Sequence, residues 1–211
     1  MKIIIFGATG GIGHHAVRHA LEKGYEVVAY VRSPQKMTME HPRLTIAKGV
    51  LTDYEAMRDA MRGCDAVVWT VGVSMDRHYE GMPSLEGHKL LVKAMNELGI
   101  KRLIDYGTPS VKFERDKRSF ITVFPGIAAA ILFPKAKREV IGIGELIRQS
   151  DLDWTFVRFL RPTNDTPTGT AKVTFGDKKI NMSITRDDIA KFMIEQIESK
   201  EYIHSMPIIG S

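Results

Sequence analysis

The sequence predicts an α/β protein built on a mostly parallel, doubly wound sheet. Three observations predict it. Short apolar runs of strand length alternate with stretches whose apolar residues recur at helical spacing. The first run, residues 3–6, leads straight into Gly7-Ala8-Thr9-Gly10-Gly11-Ile12-Gly13, a glycine-rich turn ahead of a helical pattern. A later run, residues 66–71, is apolar but for Thr70, as a parallel strand covered on both faces should be.

The elements follow in order. After the first strand, Ile12, Ala16, Val17, Ala20 and Leu21 stripe one helix face, and Gly24 stops it. Residues 26–31 and 44–47 read as the second and third strands. Asp53 reads as an N-cap before the helical stretch Ala56, Met57, Ala60 and Met61, which ends at Gly63. Residues 66–71 form the fourth strand. Leu91, Ala94, Met95 and Leu98 stripe the next helix, with Gly99 at its end, and residues 102–106 form the fifth strand. A charged piece, 112–118, then precedes the apolar run 120–133. Val140, Ile143 and Ile147 mark a helix, and residues 154–158 the sixth strand. A polar loop at 161–170, a short strand pair around Gly176-Asp177, a helix over 187–198 and a short strand near 207–209 complete the chain.

The 211 residues predict a single domain, 1–211. Cys64 is the lone cysteine, so neither an intrachain disulfide nor a cysteine metal cluster is expected, and no metal site is predicted. That usage suits a reducing, cytoplasmic setting. No secretory leader or membrane span is expected, because the first strand runs directly into the glycine turn and 120–133 is too short to span. The net charge of +5 comes from lysines and arginines dispersed among acids, which argues against a nucleic-acid partner.

The glycines carry the first functional signal. Gly7 permits a tight turn, Gly10 lets the backbone approach a pyrophosphate, and Gly13 lets the helix pack closely on the sheet. Thr9 offers a hydroxyl, and Gly11 and Ile12 offer N–H groups at a helix N-terminus. A glycine-rich turn without a ligand is the bland alternative. His14 and His15 open the helix as exposed or phosphate-adjacent groups. At the end of the second strand the chain reads Ala29-Tyr30-Val31-Arg32-Ser33, without the acid that would bind a ribose 2′-hydroxyl. Arg32 can pair with a 2′-phosphate through its planar fork, Ser33 can add a hydrogen bond and Lys36 a charge. These residues favour NADP(H) over NAD(H).

The chain resembles the atypical short-chain dehydrogenase/reductase group, the NAD(P)-binding proteins related to NmrA-like proteins and to the biliverdin reductase B/flavin reductase type. The resemblance spans nearly the whole chain. It rests on the glycine turn, Val31-Arg32-Ser33, Gly63-Cys64-Asp65-Ala66-Val67-Val68, Asp151-Leu152-Asp153-Trp154-Thr155-Phe156-Val157-Arg158 and Ile184-Thr185-Arg186-Asp187-Asp188-Ile189-Ala190. It implies a three-layer Rossmann fold with a small C-terminal substrate-side extension, and NADP(H) lying along the first four strands.

The chain departs from that pattern in three places. Gly49-Val50 replaces the usual Gly-Asp, leaving Val50 and Leu51 to line the adenine by packing and backbone. No tyrosine has a lysine four residues on. Gly107-Thr108 stands where hydroxyl residues usually follow the fifth strand, and Phe159 where a proline is common.

Lacking the Tyr-x-x-x-Lys pair, the sequence suits acceptors that take hydride directly, such as flavins, quinones or other planar molecules, better than ketones that need an acid. Strand ends limit the candidates. Thr70, Val71 and Gly72 would run beside the nicotinamide ribose. Thr108 and Ser110 are the catalytic candidates, with a plain turn hydroxyl the alternative for Thr108. Lys135 would reach a ribose hydroxyl or substrate anion, or else be a solvated helix-end lysine. Pro162 and Thr163 would cover the nicotinamide. The run 120–133 would form a lid or substrate wall, a core helix pair or a subunit contact, and 75–82 a second rim. A reductase of a small planar acceptor is the leading expectation. A non-catalytic NADP(H) sensor of the NmrA-like kind is the alternative. The oligomeric state is left open.

Overall fold

A computed structural model describes residues 1–76 and 79–211. β1 (Lys2–Phe6) lies between β2 (Glu26–Val31) and β4 (Ala66–Trp69), and β2 pairs with β3 (Leu44–Lys48). β5 (Arg102–Gly107) follows β4, and β6 (Asp153–Arg158) follows β5, all in parallel. The first strand alternates between two cores: Ile3 and Ile5 pack on one face, Ile4 and Phe6 on the other. Both faces of the central strands are covered, which is why Ile3–Phe6 and Ala66–Trp69 are apolar at every position. α1 (Gly13–Glu22) and α6 (Arg186–Glu195) cover the first face. α2 (Tyr54–Met61), α3 (Pro83–Leu98) and α5 (Pro134–Arg148) cover the second, giving the three layers expected of a Rossmann fold.

Local signals set the helix ends. Asp53 Oδ1 accepts the Ala56 N–H at 3.1 Å, capping α2. Gly99, at φ +70°, closes α3 in the left-handed region.

Beyond β6 the chain departs from simple alternation. β7 (Arg161–Thr163) pairs in parallel with β9 (Ser183–Thr185) as a separate two-stranded sheet. β8 (Lys172–Thr174) pairs antiparallel with β10 (Ile208–Gly210), which itself lies against β6. The main sheet therefore has eight strands in the order β3-β2-β1-β4-β5-β6-β10-β8. The strand pair expected around Gly176-Asp177 does not form. Asp177 Oδ1 accepts from Phe175 N and Thr174 Oγ1, closing a side-chain turn there. The chain then runs on to pair beside β7 rather than back along β8.

α4 (Phe120–Leu132) buries only Ile121, Thr122, Pro125 and Gly126. Phe120, Phe124, Ile127 and Ile131 are 50–74% exposed. The core-helix alternative for 120–133 is therefore wrong: the helix is apolar but lies at the surface. Arg158 anchors the segment before it. Its fully buried guanidinium pairs with Asp116 at 2.6 and 2.8 Å and donates to the carbonyls of Val111 and Met206. Breaking such a buried pair from one side costs about 3–5 kcal/mol.

α1 and α6 are joined through Asp187, which accepts from His19 Nε2 at 2.7 Å, lies 3.0 Å from His15 Nδ1 and pairs with Arg18. Burial pushes the Asp187 carboxyl upward, but the His19 hydrogen bond and the Arg18 charge outweigh it and hold the group below its ordinary 3.8. A carboxyl depressed on folding stabilises above its unfolded pKa and loses that contribution as pH falls through the folded value. Urea unfolding of Asp187→Asn should show a loss of about 1–3 kcal/mol at pH 7. The gap to wild type should shrink below about pH 4.

Candidate active site

The carboxyl ends of β1, β2 and β4 open into a cleft of about 510 Å³. Parallel sheets of this order bind ligands there because the connections diverge on either side of β1. Gly7, at φ +77°, starts the turn, and the Gly10 N–H closes it on the Gly7 carbonyl at 2.8 Å. A Cβ on Gly7 would lie 2.9 Å from the Thr70 backbone and from Val71. At Gly13 the constraint is harder, with a Cβ 2.1 Å from the Gly7 carbonyl oxygen and 2.6 Å from Thr70 Oγ1. Thr70 Oγ1 in turn donates to Phe6 O at 2.6 Å. The glycines thus bring the start of α1 against the ends of β1 and β4.

Gly7, Thr9, Gly10, Arg32, Ser33, Val50, Leu51, Thr70, Val71 and Gly72 line this cleft, joined by Lys36. Gly11 and Ile12 do not. Gly11 lies under the Arg186 side chain, and the Ile12 side chain is buried in the core. Their N–H groups nevertheless have no acceptor among the described residues, and no side chain caps α1.

No Asp or Glu is among the described residues that line the cleft. Arg32 and Lys36 carry the charge at the β2 end, and Arg32 has no ion-pair partner among the described residues. Tyr30 shapes the floor below them. Its hydroxyl donates to the Val50 carbonyl at 3.0 Å, and burial, helped by the Asp53 charge, pushes its pKa up to about 12. The phenol therefore stays a donor at neutral pH. Trp69 Nε1 fixes the opposite wall by donating to Val71 O at 2.9 Å.

A second cavity, about 380 Å³, lies beyond the β5 end. Thr108 and Ser110 line it with Phe124, Ala128, Phe133 and Leu160, and Arg161 is the charged residue in its wall. Ser110 is buried, and its N–H points to Thr108 Oγ1 at 3.4 Å. α4 therefore serves as the apolar wall of this cavity, one of the roles expected of 120–133.

Two expected site residues stand elsewhere. Lys135 donates to the Tyr79 carbonyl and sits 4.2 Å over the Tyr79 ring, lining a separate small cavity with Met75 and Asp76. The backbone acceptor and the ring hold it away from the cleft. Pro162 is held in β7 opposite Ile184 and lines neither cavity. Of the second rim expected at 75–82, Arg77 and His78 lie outside the described residues.

Several contributors escaped the sequence reading. Glu139 of α5, fully buried, accepts from the Ser84 and Leu85 N–H groups and from the Tyr79 hydroxyl, capping α3 from another helix. The buried His88 bridges Ser84 O and Asp105 Oδ2 at 2.6 and 2.9 Å. Tyr106 places its hydroxyl 2.8 Å from where a Gly72 Cβ would be. None of these has a short-range motif. Arg186 did have one, in Ile184-Thr185-Arg186-Asp187, but no role was attached to it.

The sequence matches the NAD(P)H-binding family over residues 7–200. The chain belongs to that family. It is 33% identical over 111 residues to cinnamoyl-CoA reductase 1 of Petunia hybrida, a match covering 48% of this chain and 33% of that protein. A probable pinoresinol-lariciresinol reductase 3 of Arabidopsis thaliana is 27% identical over 218 residues, covering 93% of this chain and 63% of the relative. The chain thus spans about a third of the length of the first of these curated relatives. Among solved structures, a putative NAD-dependent epimerase/dehydratase from Bacillus halodurans superposes with a TM-score of 0.81 at 22% identity, covering 100% of this chain and 94% of that one. ChuY, described as an anaerobilin reductase from Escherichia coli O157:H7, superposes at 0.79 with 19% identity, covering 100% and 97%. At these identities the structures speak for the fold. A nicotinamide cofactor follows from the family, and the glycine cradle, the free N–H groups and the acid-free cleft suit one. No described helix is long and apolar enough to cross a membrane.

Gly13→Ala should remove about 1–3 kcal/mol of stability or more, because the contact is a backbone oxygen that cannot move aside. A thermal melt should show the loss, and any folded fraction should bind nucleotide poorly.

Proposed function

We propose that this protein is an NADP(H)-dependent reductase that delivers hydride to a small planar acceptor. The observation that carries the cofactor choice is the pairing of Arg32 and Lys36 at the β2 end of a cleft lined by no acid. A 2′-phosphate brings two negative charges to that point, which a guanidinium fork and an ammonium would meet and which an Asp or Glu would repel. In this reading Gly7, Thr9 and Gly10 take the diphosphate, Val50 and Leu51 the adenine, and Thr70, Val71 and Gly72 the ribose on the far side.

NADPH supplies the hydride, and the protein's part is to orient and enclose. The apolar walls from α4 and Leu160 would exclude water around a flat ring system, and the Thr108 and Ser110 hydroxyls would hydrogen-bond its polar edge. Among the described residues the cavity lining holds no carboxyl, histidine or tyrosine to donate a proton. That supports an acceptor able to take hydride without an enzymic acid. The reductase names among the curated relatives support the reaction class. The same lack of an acid favours one second reading, an NADP(H) sensor without turnover.

Fluorescence titration should give tighter binding of NADPH than of NADH. Arg32→Ala should weaken NADPH roughly tenfold to a hundredfold and leave NADH unchanged. Equal affinities, untouched by the substitution, would remove the 2′-phosphate argument. NADPH oxidation should be measurable with at least one member of a panel of flavins and quinones. Tight binding with no turnover across the panel would establish the sensor instead.

A further inference from the structure

Arg186 opens α6, on the C-terminal side of the molecule, yet its side chain lies on the glycine turn of the N-terminal side. A Cβ built on Gly11 would be 2.8 Å from Arg186 Cδ and 3.0 Å from Nε. The guanidinium is steadied by a neutral acceptor, Asn164 Oδ1, at 2.7 Å. No carboxylate pairs with it among the described residues. The two acids that follow it are committed elsewhere. Asp187 holds His15, Arg18 and His19, and Asp188 accepts from Thr168, Gly169 and Thr185. The guanidinium therefore stands over Gly11, whose N–H, like that of Ile12 just before α1, has no acceptor among the described residues.

A positive, hydrogen-bonding fork held without a counter-charge beside unfilled N–H donors is suited to receive an anion between them. We propose that Arg186 is a cofactor ligand that binds the dinucleotide diphosphate from the side opposite α1. The proposal rests on the family's nicotinamide cofactor and not on the choice of NADP(H) over NAD(H). Asn164 is the positioning residue that aims the fork. The diphosphate is then held between the glycine turn and Arg186 at the start of α6.

Calorimetric titration of the whole chain separates this role from that of Arg32. The probes are NADPH, ADP-ribose, which has the diphosphate but no 2′-phosphate, and 2′-AMP, which has the reverse. Arg186→Gln should weaken NADPH and ADP-ribose roughly tenfold or more and leave 2′-AMP within about twofold. Arg32→Ala should weaken NADPH and 2′-AMP and spare ADP-ribose. The thermal melt of Arg186→Gln should match wild type, and Asn164→Ala should reproduce its pattern more weakly. Wild-type affinity of Arg186→Gln for ADP-ribose would overturn the proposal. So would an equal loss for all three probes together with a lowered melt, which would mark a structural arginine. If 2′-AMP fails to bind wild type while ADP-ribose binds, the NADP(H) preference falls. The Arg186 contrast on ADP-ribose, judged with the melt, then still decides this inference.

Discussion

Everything at the nucleotide end depends on how closely α1 approaches β1 and β4. The limit is steric: the Gly13 position leaves no room for a single carbon between its backbone and the Gly7 carbonyl. With that contact made, the first turn of α1 faces the strand ends, Thr70 reaches Phe6 O, and Val71 is aimed into the cleft. The apolar strands on both sides of the sheet give the close approach something rigid to bear on. Ile3 and Ile5 sit under α1, while Phe6 and Trp69 stack on the other face at 5.0 Å. A looser contact at Gly13 would leave the same residues present but out of register with any ligand.

The acceptor end is held by different physics. Its segments are irregular, and buried ionic groups fix them in place of a repeating ladder. Arg158 pins residues 111–116 to Met206. Glu139 ties Tyr79 to the start of α3. His88 and Asp105 join α3 to β5. Such groups are costly to bury and become costly again if one partner is lost. They define where loops go, which a purely apolar contact does less sharply. The cavity beside Thr108 and Ser110 inherits its shape from these ties and from α4, whose apolar outer face the rest of the described chain leaves uncovered.

This division explains what was legible in the sequence. The first six strands, the Asp53 cap, the Gly99 stop and the cleft-lining residues from Gly7 to Gly72 rest on local periodicity and on glycine geometry, and residue spacing records both. Lys135 was placed by its position in a helix start, but the Tyr79 carbonyl that captures it is 56 residues away. The turn at Asp177 was readable as a turn, although not that its side chain would end the strand pair. The exposure of α4 ran against composition, because fourteen mostly apolar residues suggest a core. Arg186 lay within a recognisable motif, but its meaning depends on Gly11, 175 positions earlier, and no periodicity links the two.

The placement of β10 bears on how the molecule is made. This strand lies between β6 and β8, and Pro207 just before it supplies the carbonyl that receives the Arg158 N–H. On a ribosome, β1 to β5 emerge in sequence and can pair with strands already present, so the nucleotide half can consolidate early. The edge of β6 must wait, exposing a row of unpaired backbone groups and the buried arginine's future site until residues 206–210 arrive. During that interval the nascent chain is most open to pairing with a neighbour. Loss of β10 pairing would therefore show first as aggregation during synthesis, before any change in cofactor affinity.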